Sequence, residues 1–379
     1  MLLIFGSAKL LSEICVRLRL PGIVGEILAG LLIGPSVLGW VTPNEFTGTM
    51  AELGVMFLLF RVGLEIEAEH LIEVGGTAVV VGALGVLVPL VSGWALGYAW
   101  GMPGREALFI GTALTATSVG ITAQVLSAQG LLHRTAARII LGAAVVDDIL
   151  ALVLLGVVTG VSQGHVDTLE LTLTALLAIA LVVTIGHWGR RAASHFARHL
   201  EGHLSGGEPH FSIALVVLFA LAAISARIGV AAIIGAFLAG VALADAAPRR
   251  VHDLTQGVGE LLVPFFLVGI GLELRLEALA SPQSLWLAVA LIPVAILSKV
   301  AGCGLGAIRH GSKVAMSVGF GMVPRGEFCM VVAQAGLALQ AISLTTFGVI
   351  VTMAVAAAIV APPLITLAFR QTLATPEQA

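Results

Sequence analysis

The chain has 379 residues, of which 58% are hydrophobic and 11% charged, with a mean hydropathy of +1.06. A soluble domain carries roughly 25% charged residues, so this composition excludes a soluble enzyme and a disordered chain. A net charge of −3 offers no basic face to nucleic acid, and 45 glycines with 14 prolines fit a polytopic helical membrane protein.

A bilayer core takes about 20 apolar residues as helix. Breaks at Gly, Pro and charge clusters predict thirteen spans, of which seven lie at 2–18, 22–40, 50–65, 73–98, 105–128, 135–160 and 168–189. Six more lie at 210–227, 229–245, 255–274, 284–306, 313–339 and 344–369. With the N-terminus outside, twelve basic residues fall at cytoplasmic ends and loops and three (Arg105, Arg227, Arg275) on the outer side. The positive-inside bias therefore predicts a multi-pass protein of the cytoplasmic membrane with its C-terminus inside. Cys15, Cys303 and Cys329 sit in apolar runs without paired spacing and read as small buried hydrophobes. The polar stretch 186–210 holds five histidines (His187, His195, His199, His203, His210) and reads as a solvated linker between two halves, about 1–160 and 210–370.

The halves repeat. IVGEILAGL at 23–31 matches IIGAFLAGV at 233–241, and ELGVMFLLFRVGLE at 52–65 matches ELLVPFFLVGIGLE at 260–273 with eight identities in fourteen positions. Span 2 and its mate, span 9, run in opposite directions. Inverted repeats of this kind recur in secondary transporters, whose substrate sites lie at interrupted helices in matching places. At an offset of 208, Ala116 falls on Pro324. Around Pro324 lie Gly319, Gly321 and Gly326; around Ala116 lie Thr115, Thr117 and Ser118. Proline removes a helix donor, and hydroxyl side chains compete for backbone hydrogen bonds. Two broken helices meeting at mid-membrane are predicted.

Ionisable residues inside apolar spans are costly and point to function. Asp147 and Asp148 sit midway in LGAAVVDDILALVLLG, Lys299 in LIPVAILSKVAGCGLGAI, and Arg325 and Glu327 at the second break. Adjacent aspartates project about 100° apart on a helix, so one can face a cavity while the other supports it. A buried carboxylate there has three available partners: a proton, a bare monovalent cation or the Lys299 ammonium. Cation and proton then compete for one site, which is the chemistry of an exchanger. Snorkelling to the inner boundary is the structural alternative for Lys299, and a local ion pair is that for Arg325 and Glu327. Arg61 reads as a snorkelling anchor, and Glu26 sits near the cytoplasmic boundary.

With these residues in hand, the chain resembles the monovalent cation:proton antiporter-2 family, in particular its bacterial sodium/proton exchangers with 13 helices. The likeness rests on PGIVGEILAGLLIGPSVLG (21–39), FLLFRVGLE (57–65), GTALTATSVGITAQVL (111–126), RIILGAAVVDDILAL (138–152), PFFLVGIGLEL (264–274), SKVAGCGLGA (298–307) and GMVPRGEF (321–328). The resemblance implies an all-α fold of inverted repeats with two crossed, broken helices. It implies that Asp148 carries cation or proton, that Asp147 is its acidic partner, and that Lys299 pairs with Asp148. Thr117 and Ser118 would lie beside the cation, and Pro324, Arg325 and Glu327 would support the second break. It further implies a homodimer in which helices of about 73–160 and 284–370 move, elevator-like, against helices of about 1–65 and 210–274. The transported ions would be Na⁺ (or Li⁺ or K⁺) and H⁺, with no cofactor and no metal beyond the transported cation. An electroneutral potassium/proton exchanger, a sodium-coupled symporter and a passive channel are the competing readings.

Overall fold

The structure is a computed structural model that describes residues 1–18, 20–65, 74–163, 169, 171–185, 208–228, 231–244 and 246–373. Of the 186–210 stretch, residues 186–207 lie outside the described residues. The described chain is helical throughout. The first half contains α1 (Leu2–Arg17), α2 (Gly22–Ile33), α3 (Glu45–Leu64), α4 (Gly75–Ala99), α5 (Gly104–Thr115), α6 (Val119–Ala128) and α7 (Thr135–Gln163). Next comes α8 (Leu171–Ile185). The second half contains α9 (Pro209–Ile228), α10 (Ala232–Leu243), α11 (Arg249–Leu272), α12 (Pro282–Gly306), α13 (Ser312–Gly321), α14 (Glu327–Ala338) and α15 (Leu344–Leu373). Counting α5–α6 and α13–α14 once each gives thirteen segments among the described residues. Among the described residues, eight segments are long and apolar enough to cross a membrane, α5 and α6 being taken together as one of them.

Local chemistry sets the ends. The second span is shorter than the expected 22–40: α2 stops at Ile33, and Gly34 is extended, with ψ 176°, ahead of Pro35, as the residue before a proline must be. The third begins earlier than the expected 50. There the Asn44 side chain accepts from the Thr47 N–H at 2.9 Å while Thr47 Oγ1 accepts from the Asn44 N–H at 3.0 Å, a reciprocal cap that starts α3 at Glu45.

The repeat appears directly in the packing. Gly30 of α2 lies against the Val268 carbonyl and Gly271 of α11. Its sequence mate Gly240 of α10 lies against the Phe60 carbonyl and Gly63 of α3. Each glycine pair is thus the image of the other. The same holds one layer out, where Gly25 meets the Leu11 carbonyl and Gly235 the Leu221 carbonyl. At every one of these positions a β-carbon would strike backbone, so the close approach requires glycine.

Two sets of helices pack mainly among themselves: α1, α2, α3, α9, α10 and α11 in one, and α4 to α7 with α12 to α15 in the other. Contacts of α6 with α3 and of α15 with α2 join them. The three cysteines are buried and unbonded, as the apolar runs predicted.

Candidate ion-binding site

Both helix breaks form where the repeat placed them. Residues 116–118 interrupt α5–α6 and residues 323–326 interrupt α13–α14. The breaks touch: the Ser118 N–H donates to the Pro324 carbonyl at 2.8 Å, and Thr122 Oγ1 donates to the Gly321 carbonyl at 2.6 Å. Gly326 packs against the Ser118 side chain so closely that a β-carbon there would lie 2.6 Å from Ser118 Oγ.

A helix that ends inside a membrane leaves its last carbonyls without donors, and the partial negative charge there favours cations. The end of α5 meets this need with two basic side chains from the other half of the chain. Lys299, fully buried on α12, donates to the Thr115 carbonyl at 2.7 Å, the Gly85 carbonyl at 2.8 Å and Asp147 Oδ1 at 2.7 Å. Arg325, also fully buried, donates to the Ala116 carbonyl at 2.6 Å and the Ala295 carbonyl at 2.8 Å. The Gly85 carbonyl is available because Pro89, four residues on within α4, has no N–H to donate to it.

One alternative falls here and one expectation changes. Lys299 does not snorkel, since its ammonium is enclosed. Nor does it pair with Asp148: its three donors go to Asp147 and two carbonyls. The helical angle between the adjacent acids explains the difference, because α7 turns Asp147 toward α4 and α12 and Asp148 away from them. Asp148 is 9% exposed and lines a small cavity with Leu59 of α3, Val119 of α6 and Ile234 and Phe237 of α10. It therefore sits on the seam between the two sets of helices, beside the start of α6. Glu327 opens α14 at the second break; its side chain lies outside the described residues. Sequence reasoning missed Gly85, and the Gly85–Pro89 spacing was the available signal. The carbonyls of Thr115 and Ala295 carry no sequence signal.

Four buried polar atoms at this crossing have no hydrogen-bond partner among the described residues: Thr117 Oγ1, Ser118 Oγ, Asp147 Oδ2 and Arg325 Nε. Buried polar atoms are ordinarily satisfied. Three of the four are oxygens, the donor set of a hard monovalent cation or of water. The chain belongs to the sodium/hydrogen exchanger family. Its residues 2–371 match the model of the transmembrane sodium/hydrogen exchanger.

Among relatives, the chain is 33% identical to the Na(+)/H(+)-K(+) antiporter GerN of Bacillus cereus over 97% of its own length and 95% of GerN. It is 32% identical to a Na(+)/H(+) antiporter of Enterococcus hirae, over 88% of each chain. The solved structure of the sodium proton antiporter MjNhaP1 from Methanocaldococcus jannaschii at pH 8 matches 97% of the chain with a TM-score of 0.65 at 19% identity, a likeness of fold. Membership makes this chain a multi-pass transporter of monovalent cations and protons rather than an enzyme.

Proposed function

We propose that the exchanger is a sodium/proton antiporter in which Asp148 takes either a proton or the cation. The observation that carries this reading is the division of labour between the two acids: Asp147 is held by Lys299, while Asp148 lines the seam cavity. A cation reaching Asp148 displaces its proton. It also places a positive charge beside Asp147, whose unpartnered Oδ2 and the hydroxyls of Thr117 and Ser118 can help to hold it. Asp147 then releases Lys299, and the freed ammonium gives up a second proton into the cavity. Two protons exchanged for one Na⁺ make transport electrogenic. No nucleotide or resident metal enters this cycle; the ion gradients drive it.

The helices of 73–160 and 284–370 are the moving body, and those of 1–65 and 210–274 are the static dimerisation surface. Movement along the seam carries Asp148 between the two sides in an elevator-like step. The basic-residue bias favours a cytoplasmic side for the face where α2 begins, in a homodimer of the inner membrane. Sodium is favoured by the name of the Enterococcus hirae relative. Potassium is the second reading, because the name of GerN couples both ions.

Asp148→Asn should abolish proton movement driven by Na⁺, Li⁺ or K⁺ in proteoliposomes while leaving a folded protein. The amide can neither release a proton nor offer a full charge. Sustained exchange by purified Asp148→Asn would remove the assignment.

A further inference from the structure

The inverted repeat pairs two cavities as well as two breaks. The larger, of about 450 Å³, opens at the face where α3 and α10 begin and includes Glu52, Val55, Phe266 and Gly269 among its walls. The smaller, of about 70 Å³, lies toward the opposite face and includes Glu260, Val263, Leu58 and Arg61. At the offset of 208 these are the same four wall positions: Glu52 maps onto Glu260, Val55 onto Val263, Phe266 onto Leu58 and Gly269 onto Arg61. The two cavities are therefore images of each other in the repeat, a wide vestibule and a narrow one.

Their linings differ in charge. Where the wide vestibule has Gly269, the narrow one has Arg61, and where the repeat has Ala236, the narrow one has Glu26. Glu26 is 8% exposed, and its Oε2 has no hydrogen-bond partner among the described residues. Its other oxygen has the Lys9 ammonium at 3.8 Å, beyond hydrogen-bonding distance, on a side chain that is half exposed. The neighbouring charges have closer partners: Arg61 donates to Glu65 at 3.2 Å and Glu260 accepts from Gln256 at 2.9 Å. Further oxygen comes from two sources. Gln124 of α6 lines the same cavity. The Glu260 carbonyl loses its helical donor because Pro264, also in the wall, has no N–H.

We propose that Glu26 is a second, transient site for a monovalent cation, a waiting position in the narrow vestibule from which the ion passes to Asp148. Lys9 is its built-in competitor. A buried carboxylate with one oxygen unpartnered among the described residues shares its cavity wall with Gln124 and Glu260, an oxygen-rich lining suited to a partly dehydrated alkali cation. The half-exposed ammonium at 3.8 Å stands where such a cation sits and swings aside when one arrives. The site rests on the reading of Asp148 as the ion's destination.

The test is a sodium titration of exchange in right-side-out and inverted membrane vesicles, giving an apparent KM at each face. Glu26→Gln should raise the KM at the face where α2 begins by about two- to fivefold, the range of a partly exposed charge pair, and leave the opposite KM in place. Lys9→Gln, at a half-exposed position, should lower the KM at that same face. Opposite shifts confined to one face support the site. Shifts of the same sign, shifts at both faces, or none overturn it, since a purely structural Lys9–Glu26 pair would respond alike to losing either member. If Glu26→Gln folds poorly, Lys9→Gln decides by the direction of its shift. Failure here leaves Asp148→Asn inactive, whereas failure of the Asp148 reading shows as activity in that variant.

Discussion

The two helix breaks occupy equivalent places in the repeat and are built by different means. The second is written into its own sequence: Pro324 lacks a donor, and Gly326 allows the chain to press against Ser118. The first has no proline and no glycine among residues 116–118. It stays open because Lys299 and Arg325, both from the other half, occupy the carbonyls of Thr115 and Ala116 that would otherwise lack donors. One break is local and the other is imposed from a distance. The groups that keep the imposed break open, Lys299 with its partner Asp147 and Arg325, are also those placed to respond to a passing cation.

The largest effect should come from Lys299→Gln, which strips Asp147 of its ammonium and the Thr115 and Gly85 carbonyls of a donor. Removing one partner of a buried ion pair costs about 3–5 kcal/mol, less whatever Asp147 recovers by taking up a proton. Adding Asp147→Asn should restore most of the loss in thermal unfolding in detergent. If the double variant melts no higher than the single one, the Lys299–Asp147 pair is not what stabilises the first break. Solid-supported membrane currents from Lys299→Gln should also lose their electrogenic component, because the second titrating group is gone.

Next in size is Arg325→Gln. It leaves the Ala116 and Ala295 carbonyls with at most an amide donor, and bonds from a charged donor are worth about 1.5–3 kcal/mol each. Arg325→Lys should fall between wild type and Arg325→Gln, since a lysine keeps the charge without the planar fork that spans two carbonyls. Equal melting of the two variants would show that bridging, rather than charge, is what matters.

The smallest effect should come from Pro324→Ala. It returns an N–H to the second break, yet keeps the carbonyl that receives the Ser118 N–H. A change of roughly 1 kcal/mol or less is expected. A loss as large as that of Arg325→Gln would mean that the local break is as strained as the imposed one, and the contrast between them would fall.

Much of this was legible from residues alone. Charges inside apolar runs are so costly that Asp147, Asp148, Lys299 and Arg325 identified themselves, and the offset of 208 placed both breaks. The repeat shows in the packing as well, where the contact of Gly30 with Gly271 has its image in that of Gly240 with Gly63. What sequence could not assign was partnership. Asp147 and Asp148 are neighbours of the same type, and a helix points them about 100° apart. Only the position of α12 against α4 and α7 decides which of them receives Lys299.

Sequence by itself thus determined a membrane protein of inverted halves, the places where its helices break, and the ionisable groups at its centre. These follow from hydropathy, proline geometry and the cost of a charge in hydrocarbon, which act on each segment wherever it ends up. The tertiary structure decided that Lys299 belongs to Asp147, that Arg325 serves the opposite break, and that Glu26 keeps an oxygen with no hydrogen-bond partner among the described residues. Those outcomes depend on backbone carbonyls and on the facing of helices far apart in the chain, and neither has a side-chain identity to be read in advance.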